Sequence, residues 1–265
     1  MKAPDHAPGA RVEFRAVSVR YGEAGAAVTD VDLTIAAGTF AVLLGPSGCG
    51  KSTLLRTINR LVEPTSGTVL IDGVDVRERE LTSLRRGIGY AIQAVGLFPH
   101  FSVARNVAVV PGLLGWERAR VDARVDELLA LMRLEPSRYR DRLPRELSGG
   151  EAQRVGVARA LAAEPRVLLM DEPFAAVDAI VRASLQDEIA RVHSELGTTI
   201  VFVTHDVDEA LRLADRVVVM NAGRVVQEAA PAELLAAPAD DFVRSLVGVD
   251  AETRQLTLER PLIER

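Results

Sequence analysis

The sequence predicts an α/β fold built around a parallel sheet. The segments at residues 151–163 and 180–196 carry helical spacing of their apolar residues. Runs that are almost entirely apolar, as in strands covered on both faces, occur at residues 40–44, 167–170, 199–203 and 217–220. Such strands alternating with helices indicate parallel strands joined by helical crossovers.

Composition excludes several kinds of protein. The chain has 265 residues, of which 48% are hydrophobic, so it is long enough to bury a substantial core. Its 37 acidic and 32 basic residues give a net charge of -5, which disfavours nucleic-acid binding because that needs a basic surface. The single cysteine, Cys49, excludes an intrachain disulfide and a cysteine zinc cluster, and fits a reducing compartment.

Neither a secretory signal nor a membrane-spanning helix is visible in the sequence. The charge-free stretches at residues 33–50 and 87–104 approach spanning length, but each contains glycines, a proline and polar residues. We therefore expect a cytoplasmic protein, with any work at a membrane done through a partner.

A glycine-rich loop follows the first buried strand and precedes a helix predicted over residues 52–59. It fits the phosphate-loop pattern G-x-x-x-x-G-K-[ST] at every fixed position and consists of Gly45, Pro46, Ser47, Gly48, Cys49, Gly50, Lys51, Ser52 and Thr53. Its backbone N–H groups and the helix N-terminus suit phosphate oxygens. Lys51 is expected to reach the β- and γ-phosphates of ATP, and the Ser52 hydroxyl to ligate Mg²⁺.

Two acidic residues end the apolar strand at residues 167–170. Asp171 is brought to the carboxyl edge of the sheet, where sites in open α/β sheets form, and is the predicted Mg²⁺ contact. Glu172 follows and is the predicted general base for the attacking water. A strand capped by two solvated acids is the alternative, which the phosphate loop makes the weaker one.

A second anion-binding pattern precedes this strand. Ser148, Gly149 and Gly150 begin a helix, so they present a hydroxyl and N–H groups that lack helical partners. An ordinary N-cap serine is the simpler interpretation when the segment is taken alone. A chain that already has one phosphate loop needs a second anion site only if that site faces a different nucleotide.

Together these segments resemble the nucleotide-binding subunit of ABC transporters over residues 21–215. The resemblance implies a P-loop NTPase fold with a parallel core sheet, an N-terminal antiparallel β subdomain and an inserted helical subdomain at about residues 102–147. It also implies that two chains face each other, with each ATP between one phosphate loop and the Ser148–Gly150 signature of the other chain. Glu151 stands where the family more often has glutamine.

Further residues match the family in order along the chain. By resemblance, Tyr21 stacks on adenine, and Gln93 contacts Mg²⁺ and the water and senses the transporter partner. Asp178 lies in the loop that crosses the dimer interface, although Val177 stands where leucine is common. His205 matches the histidine that contacts the γ-phosphate.

The resemblance also predicts partners and domain bounds. The apolar run at residues 95–101 is expected to receive a coupling helix from a separate membrane permease, which works indirectly with a substrate-binding protein. This places the ATP-dependent homodimer on the inner face of the cell membrane. The predicted domains are a disordered tail over residues 1–10, the ATPase domain over 11–248 and a mobile tail over 249–265.

Three segments resemble the ATPases of importers for osmoprotectant quaternary amines such as glycine betaine and choline. They lie at residues 87–100, 178–188 and 204–215. An importer of another small solute and a soluble scaffold ATPase of iron–sulfur assembly remain as alternatives. The coiled-coil ATPases of DNA repair do not fit, because the segment between Gln93 and Ser148 is too short. A translation factor with two cassettes does not fit a single phosphate loop.

Overall fold

The computed structural model describes residues 9–22, 25–92, 96–175 and 177–248. The strands are β1 Val12–Arg20, β2 Ala26–Ile35, β3 Phe40–Leu44, β4 Ser66–Ile71, β5 Val74–Asp75, β6 Ile88–Ala91, β7 Val167–Asp171, β8 Thr199–Thr204, β9 Arg216–Asn221 and β10 Arg224–Ala229. The helices are α1 Lys51–Ile58, α2 Leu81–Arg86, α3 Val103–Val107, α4 Val109–Leu113, α5 Arg118–Leu131, α6 Pro136–Tyr139, α7 Gly149–Leu161, α8 Ala179–Leu196, α9 Val207–Leu213, α10 Pro231–Ala236 and α11 Asp241–Val247.

These elements form two compact units. The nucleotide unit consists of residues 9–81 and 199–248, and the helical unit of residues 82–198. None of the helices in the described part of the chain is both long and apolar enough to cross a membrane. The domain bounds expected from the sequence stay a prediction.

The nucleotide unit contains an antiparallel sheet and a set of parallel strands. The antiparallel sheet has the order β2-β1-β4-β5. Strand β3 pairs in parallel with both β8 and β9, and β10 runs antiparallel to β9. Every residue of β3 and β8 is buried, so the predicted parallel core is confirmed.

Strand β1 is continuous although its apolar pattern is interrupted at Arg15 and Ala16. Ala16 has a φ of 50°, and the register with β2 shifts between Phe14 and Val17. The Ala16 N–H, which such a bulge takes out of the ladder, donates to the Asp32 carboxylate at 2.9 Å. The interruption of the apolar pattern at Arg15 and Ala16 therefore marks a bulge within one strand.

The helical unit combines a parallel strand pair with helices. Strands β6 and β7 pair in parallel, and α7 packs against β6 so closely that a Cβ at Gly89 would lie 2.5 Å from the Ala160 carbonyl oxygen. Helix α5 buries Val125, Leu128 and Leu129. The region predicted to be a helical subdomain thus consists of α3 to α6 and a short 3₁₀ turn at Pro144–Glu146.

The structure corrects one expectation about the start of the chain. Gly9 and Ala10 were predicted to belong to a disordered tail but are buried, and the Ala10 carbonyl accepts a hydrogen bond from Thr199 Oγ1 at 2.7 Å. Near the other end, residues 231–248 form α10 and α11, and Asp240 caps α11 by accepting from the Val243 N–H. The predictions for residues 1–8 and 249–265 lie outside the described residues.

Candidate functional site

The predicted phosphate loop joins β3 to α1 and is held tightly by its surroundings. Gly45 and Gly50 have φ values of 154° and 104°, which side chains rarely adopt. A Cβ at Gly45 would lie 2.2 Å from the Met220 carbonyl oxygen, and one at Gly50 would lie 2.3 Å from that of Ala27. Both glycines are therefore required by backbone that presses on the loop from β9 and β2.

The β9–β10 hairpin also fixes the loop through one glycine. The Gly223 N–H donates to the Cys49 carbonyl at 3.0 Å, and the Gly223 carbonyl accepts from the Thr29 N–H at 2.8 Å. A backbone bridge thus connects the phosphate loop, this hairpin and β2.

We expect Gly50→Ala to weaken ATP binding by about 10-fold or more, because the loop must shift to relieve the clash with Ala27. Titration with a fluorescent ATP analogue measures this. The matched control is Gly73→Ala, which also has a positive φ, 77°, but has open space around the new Cβ. ATP binding by Gly50→Ala at parental affinity would contradict the fixed-loop description.

The ammonium of Lys51 lies inside the loop. Lys51 is only 4% exposed, and its Nζ donates to the carbonyls of Gly45 at 2.7 Å and Pro46 at 2.9 Å. Among the described residues no side chain caps the start of α1, which leaves the helix N-terminus to present its N–H groups. A positive charge beside a helix N-terminus suits the phosphates of ATP.

The histidine predicted to contact the γ-phosphate lies at the same sheet edge. Leu44 pairs with Thr204 in register, so the phosphate loop and His205 begin at neighbouring positions. The buried Glu209 accepts a hydrogen bond from Thr204 Oγ1 at 2.6 Å, and Asp206 caps α9. These bonds fix the turn that carries His205, which is exposed.

The aromatic predicted to stack on adenine follows β1. Tyr21 is 52% exposed and directly follows the pairing of Arg20 with Ala26. The next residues of β2, Ala27 and Val28, lie against Gly50. The strand pair that flanks the phosphate loop therefore also carries Tyr21.

In the helical unit, the two predicted acids end β7. Asp171 is 4% exposed, and Tyr90 Oη donates to its Oδ2 at 3.4 Å. Glu172 has a φ of 46°, and a left-handed conformation of this kind is costly for a residue with a side chain and is common at active sites. Gln93 lies outside the described residues.

The signature begins α7 with a reciprocal cap. Ser148 Oγ accepts from the Glu151 N–H at 3.3 Å, and Glu151 Oε2 accepts from the Ser148 N–H at 2.7 Å. The hydroxyl of Tyr139, donating to the other carboxylate oxygen, is the main cause that lowers the pKa of Glu151, and the same bond raises the pKa of Tyr139. The carboxylate is therefore held ionised at this helix start.

The starts of α7 and α8 pack against each other. A Cβ at Gly150 would lie 2.3 Å from Val181 Cγ1, and the Asp178 carboxylate accepts from the Val181 N–H at 3.1 Å. Gly149 has open space around it. The signature and the predicted interface loop are thus neighbours, with Asp178 used as a helix cap.

The donor set fits ATP with Mg²⁺. Magnesium is usually held by one or two carboxylates together with substrate phosphates, and each unit offers one oxygen donor, the Ser52 hydroxyl in one and the Asp171 carboxylate in the other. No group of three or more histidine, cysteine or acidic residues suited to a metal occurs in the described ranges.

Sequence reasoning missed Tyr90, Tyr139 and Glu209. Tyr90 bonds Asp171 directly, whereas Tyr139 bonds Glu151, the residue that caps Ser148, and Glu209 bonds Thr204, which precedes His205. Each bond joins positions far apart in sequence or on different elements. Spacing along the chain carries no signal of such contacts.

Residues 28–175 match the family model described as ABC transporter. The chain belongs to this family. This ABC protein is 56% identical over 237 residues to the "Glycine betaine uptake system ATP-binding protein YehX" of Escherichia coli, which covers 89% of this chain and 76% of that protein. It is 49% identical over 254 residues to the "Glycine betaine/carnitine/choline transport ATP-binding protein OpuCA" of Bacillus subtilis, over 96% and 66% of the two chains.

A third relative has a related name. The "Osmoprotectant import ATP-binding protein OsmV" of Salmonella typhimurium is 50% identical over 88% of this chain, which spans 61% of the length of that relative. The resemblance predicted from the sequence to the ATPases of osmoprotectant importers is therefore confirmed.

Solved structures support the same fold. The ATP-binding cassette MJ0796, in a dimeric post-hydrolysis state with ADP and phosphate, matches with a TM-score of 0.73 and 34% identity over 83% of this chain and 98% of that one. CbiO1 of Clostridium perfringens, part of the ABC transporter complex cbiONQ, matches with a TM-score of 0.79 and 28% identity over 93% and 98%. The predicted P-loop NTPase fold is confirmed, and the chain is an ABC ATPase.

Proposed function

We propose that this chain is the energy-coupling ATPase subunit of an importer for osmoprotectant quaternary amines. ATP closes two copies into a dimer, hydrolysis opens it, and a separate membrane permease is driven by the cycle. The main support for the proposal is the order of three elements along one ABC chain. The relatives of this chain are named for glycine betaine and choline. These elements are the phosphate loop, the serine-glycine signature and the acidic strand end.

The phosphate loop supports the binding and charge-neutralising half of the reaction. Lys51 exchanges its bonds to the Gly45 and Pro46 carbonyls for phosphate oxygens, and the loop N–H groups orient the chain of phosphates. Ser52 and Asp171 would hold Mg²⁺, which would supply additional positive charge for the phosphate oxygens.

The strand end supports the proton-transfer half of the reaction. Glu172 accepts a proton from the attacking water, and His205 donates a hydrogen bond to the γ-phosphate. Gln93 is assigned contact with Mg²⁺ and the water by its position in the sequence. Tyr90 restrains the Asp171 carboxylate by its hydroxyl. Tyr21 completes the pocket by stacking on adenine.

The signature supports the dimer. A serine hydroxyl and the N–H groups of Gly149 and Gly150, at the start of a 13-residue helix, form an anion site distinct from the phosphate loop. Facing the ATP of the other copy, this site makes nucleotide binding and dimer closure one event. Asp178, beside the signature, lies at the same interface.

A groove in the helical unit suits a permease segment. It has a volume of about 370 Å³ and is lined by apolar residues and three arginines. Phe98 in its wall is 41% exposed, and Arg159 Nη1 donates a hydrogen bond to the neighbouring Gly96 carbonyl at 2.7 Å. An exposed aromatic beside arginines is typical of a protein interface. We call residues 96–101 the docking segment, and place the chain on the inner face of the cell membrane through it.

Uptake by cells tests the proposal. Deletion of the gene for this chain should abolish high-affinity uptake of radiolabelled glycine betaine, choline or carnitine at high osmolarity. The intact chain should restore uptake, and Lys51→Ala should not. Unchanged uptake of all three, together with loss of iron–sulfur enzyme activity, would instead favour the scaffold ATPase. Unchanged uptake with a defect for another solute would correct the substrate alone.

A further inference from the structure

A tyrosine outside the predicted site holds the start of the signature helix. Tyr139, the last residue of α6, is 8% exposed, and its hydroxyl donates to Glu151 Oε1 at 2.6 Å. The other oxygen of that carboxylate holds the Ser148 N–H. One side chain therefore joins α6 to the serine that presents its hydroxyl at the helix start.

The charge of Glu151 suits this double role. A carboxylate can accept at both oxygens, whereas the glutamine more common at this position offers a single acceptor oxygen. Hydrogen bonds to an ionised acceptor are also about twice as strong as neutral ones. The guanidinium of Arg142 lies 4.6 Å from the centre of the Tyr139 ring, which further restrains the phenol.

The segment directly after α6 is in turn bonded to α3. The Val103 N–H donates to the Arg142 carbonyl at 2.8 Å, and the Ala104 N–H donates to the Arg140 carbonyl at 2.9 Å. The segment that follows Tyr139 is therefore hydrogen-bonded to the first turn of α3.

Helix α3 is bonded to the docking segment through a fully buried asparagine. Asn106 Oδ1 accepts from the Phe98 N–H at 2.8 Å, and its Nδ2 donates to the carbonyls of Phe98 at 3.2 Å and Phe101 at 3.0 Å. A continuous set of hydrogen bonds thus runs from the docking segment through α3 and α6 to Ser148.

We propose that Tyr139 is a positioning residue that transmits the state of the docking segment to Ser148 through Glu151. The inference rests on the proposed function, in which the docking segment receives the permease and Ser148 faces the ATP of the partner chain. A shift of the docking segment moves α3 and α6 together, and the Tyr139–Glu151 bond carries that shift to the signature. Hydrogen-bond networks and packed side chains with two discrete arrangements carry coupling between distant sites.

The first test removes only the hydroxyl. In a Glu172→Gln chain, which retains ATP, Tyr139→Phe should raise the ATP concentration for half-maximal dimerisation about 10-fold, because a charge-assisted bond is lost. ATP binding by the dilute single chain should not change, since its own loop is untouched. Ser137→Ala, which removes an exposed hydroxyl from the same helix, should dimerise as the parent does.

Hydrogen exchange distinguishes a conformational change passed between the signature and the docking segment from a general loss of stability in the variant. In the parent, ATP-dependent closure should slow exchange at the Phe98, Val103 and Ala104 amides as well as at the signature. In Tyr139→Phe the slowing at these three amides should be lost. Equal slowing in both chains would overturn the inference, because the docking segment would then respond without the tyrosine.

A double-mutant cycle keeps the inference testable if one variant is destabilised. Glu151→Leu should weaken dimerisation as Tyr139→Phe does, and the combined variant should be no weaker than Glu151→Leu alone, since both remove the same bond. Additive losses would overturn the inference. If the Glu172→Gln parent itself stays monomeric with ATP, the proposed dimer fails and the inference fails with it, whereas a dimerising parent unaffected by Tyr139→Phe rejects the inference alone.

Discussion

Replacing Glu172 with glutamine should leave ATP binding intact and slow hydrolysis about 10²–10⁴-fold, the range for losing general-base catalysis. Glutamine is almost isosteric with glutamate, so the left-handed backbone at this position, with a φ of 46°, is unchanged. What is lost is the ability to accept a proton from the attacking water. Single-turnover hydrolysis and ATP affinity, measured on the same preparation, separate the two effects.

A second glutamate provides the matched control for Glu172→Gln. Glu164 also has a left-handed backbone, with a φ of 53°, and its carboxylate pairs with Arg120 at 3.0 Å. Glu164→Gln should hydrolyse ATP at close to the parental rate. Near-normal turnover by Glu172→Gln would show that another group is the base.

Mixing two inactive chains should restore part of the ATPase activity. Lys51→Ala disables the phosphate loop, and Ser148→Arg places a long cation at the signature. If each ATP lies between the loop of one copy and the signature of the other, one site of the mixed dimer carries both lesions and the second carries neither. Each variant alone should lose at least about 100-fold in turnover, because its dimer has a lesion in both sites.

The mixed dimer must be demonstrated before its activity is interpreted. Differently tagged chains, purified through both tags in sequence, provide it. Absence of any recovery in that preparation would place Ser148 outside the shared site. Recovery in a mixture that forms no dimer would also contradict the arrangement.

The strands that the sequence predicted most clearly are those with an unbroken apolar pattern. β3 and β8 are buried on both faces, so every residue is apolar or a threonine and the pattern is clear. The hairpin strand β10, with the sequence RVVQEA, is only partly buried and was not predicted. β6 was also missed, because its Gly89 is required by the approach of Ala160 and weakens the strand pattern.

In the candidate site, too, some residues could be predicted from the sequence and others could not. Phosphate loops and acidic strand ends are local patterns, because adjacent residues must present N–H groups or carboxylates to one ligand. The partners that hold those residues come from elsewhere in the chain, as Tyr139 does for Glu151 and Tyr90 for Asp171. Such contacts depend on packing, and a single sequence does not encode them in its spacing.

The Gly223 bridge has a practical consequence for handling the molecule. Hairpin tips are the usual places to insert a tag, a fluorophore or a cross-linking residue. The β9–β10 tip is not suited to this, because its glycine is bonded to both Cys49 and Thr29 and supports the shape of the phosphate loop. The β4–β5 tip at Gly73 has open space around it, and is the better place to attach a probe without disturbing the nucleotide.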